Sequence, residues 1–220
     1  MNVRILDKSF DVANEPADFW SWVNDGAYDS EWRLMQSSLR SDHTFIDLGA
    51  WVGGHSLYAS TLCKTVYAVE PDPVAFQILY ANTFHHPNIT RDTVAITGYT
   101  GKIKLGSGLL GASTTRVNPN AGGGIGPWEP GQQFDADCMT LREFCADIPD
   151  PLFIKMDVEG SEEVILQDED FFASRMPTLM LEVHPFWWKD VGRGWRSVDR
   201  IAKLYDMKPQ RTNRILMVGK

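Results

Sequence analysis

The feature that most constrains the fold is an alternation, from Thr44 onwards, of short apolar runs with segments of helical periodicity. The apolar runs have the length of buried strands. Such an alternation is typical of βαβ units, in which crossover helices join parallel strands. The predicted strands are residues 45–48, 66–70, 93–96, 152–157 and 178–183, and the predicted helices are residues 53–62, 72–82, 140–146 and 161–167. The sequence therefore predicts an α/β fold with a mostly parallel sheet.

The chain before these elements predicts a separate cap. Apolar spacing indicates two short amphipathic helices, at residues 17–23 and 31–39, packed against one side of the core. We therefore predict an N-terminal helical cap or lid over residues 1–40, followed by a single globular domain over residues 41–220.

Two later segments interrupt the alternation. A hairpin is predicted at residues 102–105, followed by a glycine-rich stretch at residues 121–127, and long connections of this kind are often functional. The tail, residues 205–218, predicts a closing antiparallel pair of strands with its turn at residues 211–214.

Charge and cysteine content argue against several classes of protein. The 21 basic and 29 acidic side chains give a net charge of -8, the wrong sign for a surface that follows nucleic-acid phosphates. The 3 cysteines lack Cys-x-x-Cys spacing, which disfavours a disulfide framework or a zinc site. No apolar run is long enough to span a membrane, and the charged opening does not resemble a signal peptide. We expect a cytoplasmic protein without nucleic-acid partners.

A glycine-containing segment follows the first predicted strand. It runs from Asp47 to Ser56 and reads DLGAWVGGHS. Glycine permits positive φ angles and a close approach of ligand to backbone, and the free N–H groups of the next helix suit a carboxylate or phosphate. The spacing of Gly49 and Gly53 matches neither the Gly-x-Gly-x-x-Gly dinucleotide fingerprint nor a P-loop.

Glu70 ends the second predicted strand. A carboxylate at this place in a doubly wound sheet can accept hydrogen bonds from both ribose hydroxyls of a nucleoside. In the alternative interpretation, Asp72 caps the next helix, Pro73 occupies its first turn, and Glu70 is merely exposed. Both interpretations can hold at once.

Three segments together resemble a known family. DLGAWVG at residues 47–53, VEPDP at residues 69–73 and IKMDVEGSE at residues 154–162 are similar to the characteristic segments of the FkbM family of S-adenosylmethionine-dependent methyltransferases. The resemblance implies a class I methyltransferase fold. That fold is a Rossmann-like three-layer sandwich around a seven-stranded sheet, with six parallel strands and an antiparallel last strand. It also implies methylation of oxygen, often on sugars or secondary metabolites.

The resemblance also implies which residues bind the methyl donor. Glu70 would hold the ribose, the turn after Asp47 would line the methionine and ribose, and Pro71 and Asp72 would flank the adenine. Trp51 stands where asparagine is common. Glu31 precedes the first strand, where a lid over the donor could form; alternatively, Glu31 lies on a solvated helix face. The full predicted donor-binding set is Asp47, Gly49, Ala50, Trp51, Gly53, Glu70, Pro71, Asp72, Ala95 and Glu31.

Acidic and imidazole groups follow the fourth and fifth predicted strands. Asp157 and Glu159 come after the fourth, and Glu182 and His184 come after the fifth, so all four should meet on the rim where ligands bind. We predict that His184 is the general base for an alcohol acceptor, with Asp157 or Glu182 orienting it or binding the acceptor hydroxyls. Alternatively, His184 is structural and Glu159 merely favours the first turn of a helix. Four such groups could hold a divalent metal, but their spacing matches no metal motif, so none is predicted.

The sequence therefore predicts a methyltransferase that uses S-adenosylmethionine to methylate a hydroxyl of a small molecule or glycan. Three different functions stay open beside it: an N-methyltransferase, a nicotinamide-dependent oxidoreductase, and a methyltransferase-like binding module without turnover. The acceptor and the oligomeric state are not predicted.

Overall fold

The structure, a computed structural model, describes residues 1–107, 111, 116–117, 132–208 and 211–219. The predicted glycine-rich stretch at residues 121–127 lies outside the described residues. In chain order the elements are β1 (Asn2–Ile5), β2 (Lys8–Asp11), α1 (Ala17–Asn24), α2 (Asp29–Ser38), β3 (Thr44–Leu48), α3 (Gly54–Ala59), β4 (Thr65–Val69), α4 (Pro73–Thr83), β5 (Ile89–Asp92), β6 (Ala95–Thr97), β7 (Gly101–Ser107), β8 (Arg116–Val117), β9 (Gln132–Thr140), α5 (Leu141–Phe144), β10 (Leu152–Met156), α6 (Glu162–Ile165), α7 (Glu169–Arg175), β11 (Thr178–Glu182), α8 (Val191–Leu204) and β12 (Arg214–Met217). A 3-10 turn, Pro185–Trp187, precedes α8.

The main sheet has the strand order β12-β11-β10-β3-β4-β5. Neighbours from β11 to β5 pair in parallel, and β12 pairs antiparallel with β11. The predicted α/β fold and the antiparallel last strand are therefore confirmed. Within the part of the chain that the structure describes, this sheet has six strands, one fewer than the resemblance implies.

Apolar residues on both faces of the central strands hold the sheet in place. All five residues of β3 and of β10 are buried, as expected for parallel strands covered by helices. Phe45 and Phe153 pack in one apolar cluster with side chains of α1 to α4, whereas Ile46 and Ile154 pack in another with side chains of α6 to α8. Alternate residues of a strand face opposite sides, so the fold has helical layers on both faces of the sheet.

In chain order, the third strand of the main sheet is β5, at residues 89–92. The prediction that this strand lies at residues 93–96 is therefore wrong. β5 is an edge strand in which only Ile89 is buried, so it lacks the apolar run that marks a central strand. The apolar run at Ala95 instead forms β6, which belongs to a second, four-stranded sheet with the order β6-β9-β7-β8.

Two other local predictions need correction. Residues 102–105 lie within the single strand β7, which pairs antiparallel with β9, so they do not form a hairpin by themselves. The tail starts directly after α8, and its described residues include one strand, β12, which pairs antiparallel with β11.

The N-terminal segment packs on the main sheet. α1 and α2 confirm the two predicted helices, and an antiparallel pair, β1 and β2, precedes them. Trp20 and Trp32 are fully buried in the same cluster as Phe45 of β3. Among the described residues, no helix combines the length and the apolar character needed to cross a bilayer.

Candidate active site

A cavity of about 290 Å³ opens at the carboxyl ends of β3, β4, β10 and β11. Ligands bind at this edge of open α/β sheets. Most of the predicted site residues line it, namely Glu31, Gly49, Ala50, Trp51, Glu70, Pro71, Ala95, Asp157, Glu159, Glu182 and His184. Asp47, Gly53 and Asp72 do not line the cavity. They contact the segments that carry the lining residues.

The turn after β3 places backbone against the cavity. Gly49 has a φ of 74°, and a Cβ there would lie 1.9 Å from the carbonyl oxygen of Asp157, so this position requires glycine. Trp51 also has a positive φ, 48°, a conformation in which asparagine is common. Its amide N–H donates to Glu70 Oε2 at 2.9 Å, which joins the turn to the end of β4.

Glu70 is almost fully buried, and its carboxylate faces the cavity. Its second oxygen, Oε1, accepts the Asp72 N–H at 2.8 Å. Burial raises the pKa of Glu70 to about 7, although the hydrogen bonds from Asp72 and Trp51 act in the opposite direction. The side chain of Asp72 caps α4 by accepting the N–H groups of Val74 and Ala75. The predicted capping role of Asp72 is therefore correct, while Glu70 is not exposed.

Sequence reasoning missed Lys155, which is buried in β10 beneath the turn. Its Nζ donates to the Gly49 carbonyl oxygen at 2.8 Å and lies 3.3 Å from Asp47 Oδ1 and 3.4 Å from Asp157 Oδ2. Burial alone would lower the pKa of Lys155, but the two carboxylates outweigh burial and raise it. The signal in the sequence was a lysine inside an otherwise apolar strand.

Asp47 and Gly53 support the turn from below. Asp47 is fully buried, and its Oδ2 accepts the Ser56 hydroxyl of α3 at 2.7 Å. The Gly53 N–H donates to the Ala50 carbonyl oxygen at 2.8 Å within the turn, and Gly53 directly precedes α3. Asp47 therefore links strand, lysine and helix beneath the cavity.

The opposite side of the cavity carries His184 and three carboxylates. The Nδ1 atom of His184 lies 3.0 Å from Glu162 Oε1, and its Nε2 atom lies 3.7 Å from both Asp157 Oδ1 and Glu159 Oε1. Burial lowers the pKa of His184, but Glu162, Glu159 and Asp157 outweigh burial and raise it to about 9. Burial is also the main reason why the pKa of Glu159 rises to about 7.

The residue that contacts the His184 ring most closely is Glu162, not Asp157 or Glu182. Glu162 lies in the first turn of α6, where an acidic residue is favoured in any helix, but it is fully buried. Its position two residues after Gly160 gave no signal that it would point back toward His184.

Glu182 belongs to a different network. Its Oε2 accepts the Arg214 Nε–H at 3.0 Å, and Arg214 also pairs with Glu31. Glu31 Oε2 lies 3.3 Å from His55 Nε2. Burial raises the pKa of Glu31, but His55 and Arg214 outweigh burial and hold it below its ordinary value. This network joins α2, α3 and the last two strands along one wall of the cavity.

Asp157, Glu159 and His184 each offer a ligand atom, and these atoms lie within 4.8 Å of one another. This spacing is small enough for a cation. The Nδ1 atom of His184 also lies within hydrogen-bond distance of Glu162, and the surrounding carboxylates raise the pKa of His184, so the same cluster suits a protonated ring paired with carboxylates.

The chain is similar to known methyltransferases. The family model for the methyltransferase FkbM domain matches residues 47–211. The methyltransferase FkbM structure from Methylobacillus flagellatus KT is 18% identical, with a TM-score of 0.46; the match covers 90% of this chain and 50% of that one, so this chain spans half its length. Precorrin-6y C5,15-methyltransferase from Geobacter metallireducens GS-15 is 18% identical, with a TM-score of 0.42 and coverage of 82% and 71%. SMU.1697c from Streptococcus mutans, solved in complex with SAH, is 10% identical, with a TM-score of 0.44 and coverage of 81% and 80%. The comparison with curated proteins finds no match.

Proposed function

The chain belongs to the methyltransferase FkbM family, and we propose that it transfers a methyl group from S-adenosylmethionine to a hydroxyl of a sugar or secondary metabolite. The observation that carries this proposal is one cavity with two different sides. A buried carboxylate, Glu70, lies on one side, and a histidine paired with carboxylates lies on the other. The strands that carry the two sides, β4 and β11, are three strand spacings apart, or about 14 Å.

The residues on the Glu70 side fit an adenosyl group. The Glu70 carboxylate can accept hydrogen bonds from two ribose hydroxyls, and the backbone of the Gly49 turn lies against the same space. Apolar side chains complete this side of the cavity and suit the faces of an adenine ring, namely Val69, Val94, Ala95, Ile96 and Leu105. When bound, S-adenosylmethionine supplies a methyl group on a sulfonium, which is open to attack by a nucleophile.

The residues on the His184 side would orient the acceptor and take its proton. Asp157, Glu159 and Glu182 can accept hydrogen bonds from sugar hydroxyls, and the neutral Nε2 of His184 can accept the proton of the attacking hydroxyl. The exposed ring of Trp22 lines the same cavity and offers an apolar face to a sugar ring.

We further propose that the N-terminal segment, residues 1–40, serves as the cap over this site. The support for this role is that Phe19, Tyr28 and Glu31 of this segment line the cavity beside residues of the main sheet. Such a cap would exclude water from the reacting groups.

We expect His184→Ala to lower kcat by about 100-fold, the lower range for loss of a general base, without changing donor affinity. A base acts in its neutral form, so the wild-type kcat/KM at saturating donor should rise with pH through about 9, the pKa of His184. The variant should lose this rise. The measurement is transfer of a labelled methyl group to a panel of sugars across pH.

Unchanged activity in His184→Ala would contradict the proposed base and favour an amine acceptor, which needs little help from a base.

Calorimetry distinguishes a methyltransferase from a nicotinamide-dependent oxidoreductase. Heat with S-adenosylhomocysteine and none with a nicotinamide dinucleotide is expected; the reverse would indicate an oxidoreductase. If the protein binds the donor but methylates no component of any cell extract in a panel, it is a binding module.

A further inference from the structure

Glu162 is a fully buried carboxylate beside His184, and its two oxygens lie within hydrogen-bond distance of nitrogen atoms of the described residues. Oε1 accepts the Val158 N–H at 3.2 Å and lies 3.0 Å from His184 Nδ1. Oε2 accepts the Gly160 N–H at 3.0 Å and the indole N–H of Trp188 at 3.1 Å. A buried carboxylate needs several donors, and this arrangement supplies them from three segments of the chain.

These contacts prevent the carboxylate from turning. Trp188 is itself buried, and α8 approaches its ring so closely that a Cβ on Gly194 would lie 2.2 Å from the indole. The indole donor is therefore fixed by packing, and the two backbone N–H groups are fixed by the loop that follows β10. The oxygen that faces His184 has little freedom to move.

We propose that Glu162 is a positioning residue that holds the His184 ring in its Nδ1–H tautomer with Nε2 directed at the cavity. Because the carboxylate accepts from three N–H groups, it acts as an acceptor, and Nδ1 must then carry the hydrogen of the remaining contact. Which ring nitrogen is protonated is set by the hydrogen bond that the other makes. The proposal rests on the proposed function only for its effect on the rate.

The charged groups around His184 come from several elements. Asp157 and Glu159 of the loop after β10 face Nε2, and Glu162 of α6 faces Nδ1. Of these, Glu162 makes the hydrogen bond and is the largest influence that raises the pKa of His184. Removing the Glu162 charge should therefore lower the pKa of His184 by about 1–2 units.

Nitrogen-15 NMR of the wild-type protein tests the tautomer without any substitution in the site. Above the pKa of His184, we expect Nδ1 to be protonated and Nε2 to be unprotonated. An Nε2–H tautomer in the wild type would overturn the proposal. This measurement stands even if a Glu162 variant does not fold.

Glu162→Gln and Glu163→Gln form a matched pair for the effect on the ring. Glu163 is the next residue of the same helix, is also buried, and accepts the backbone N–H groups of Lys189 and Asp190 without a contact to His184. In Glu162→Gln we expect the His184 pKa, followed by NMR, to fall by about 1–2 units, and the ring to lose its preference for Nδ1–H. Glu163→Gln should leave both unchanged, and an unchanged His184 pKa in Glu162→Gln would overturn the proposal.

Measurements of kcat distinguish the positioning role of Glu162 from the proposed role of His184 as the general base. In Glu162→Gln the pH profile should shift to lower pH with the His184 pKa, and the plateau of kcat should fall by about tenfold or more because the base is no longer held in one tautomer. Donor affinity should stay unchanged. If the ring responds as expected while kcat is unaffected in both Glu162→Gln and His184→Ala, the general base is wrong, whereas the hold of Glu162 on the ring is supported.

Discussion

Replacing Lys155 with methionine is expected to lower the free energy of unfolding by about 3–5 kcal/mol, the cost of breaking a buried ion pair by removing one partner. The methionine leaves the Asp47 carboxylate, which is fully buried, without the cation 3.3 Å away. It also removes the donor to the Gly49 carbonyl oxygen, so the turn against the cavity should loosen. Denaturant unfolding followed by circular dichroism measures the loss.

Two further variants make this test specific. Lys64→Met, at an exposed lysine beside β4, should change stability by no more than about 0.5 kcal/mol. Adding Asp47→Asn to Lys155→Met should recover part of the lost free energy of unfolding, because the buried carboxylate that lacks a cation is then removed. A loss below about 1 kcal/mol in Lys155→Met would contradict the buried network, since that is within the range of an ordinary substitution.

Replacing Glu70 with alanine is expected to weaken binding of S-adenosylhomocysteine by about 100-fold, or about 3 kcal/mol, since two hydrogen bonds to a charged group are lost. Titration calorimetry measures the change. Glu159→Gln is the control, because it alters a carboxyl in the same cavity on the acceptor side and should leave donor affinity unchanged. Unchanged affinity in Glu70→Ala would contradict the proposed ribose contact.

Donor affinity should also depend on pH through Glu70. Ribose hydroxyls donate to the ionised carboxylate, so binding favours the form that has lost its proton. With a Glu70 pKa of about 7, affinity should be about tenfold higher at pH 8 than at pH 6, and binding at pH 7 should release about half a proton per site. Glu70→Gln should abolish this dependence; a dependence that persists would place the titrating group elsewhere.

The central strands could be predicted because burial leaves a direct trace in sequence. β3 and β10 are continuous apolar runs since both of their faces are covered. The position of β5 was predicted wrongly because an edge strand with one buried residue carries little apolar pattern. The apolar run at Ala95, where the sequence predicts this strand, belongs to the second sheet. That sheet also depends on pairing between β7 and β9, which are far apart in sequence.

Local sequence predicted most of the residues that line the cavity, but not the contacts that long-range packing makes between them. Gly49, Trp51 and Glu70 lie in two short segments whose spacing follows from the geometry of one βαβ unit, so local sequence places them. Arg214 reaches the cavity from a strand near the end of the chain, and its partner Glu31 lies in α2. Contacts over such separations depend on packing and leave no local pattern. Glu162 was missed because a glutamate in the first turn of a helix has an ordinary explanation.

The most direct test of the central claim is a crystal structure of the protein with S-adenosylhomocysteine. We expect the ribose hydroxyls within hydrogen-bond distance of the Glu70 carboxylate, with the rest of the ligand extending along the Gly49 turn toward His184. A ligand bound elsewhere, or a ribose without contact to Glu70, would contradict the account.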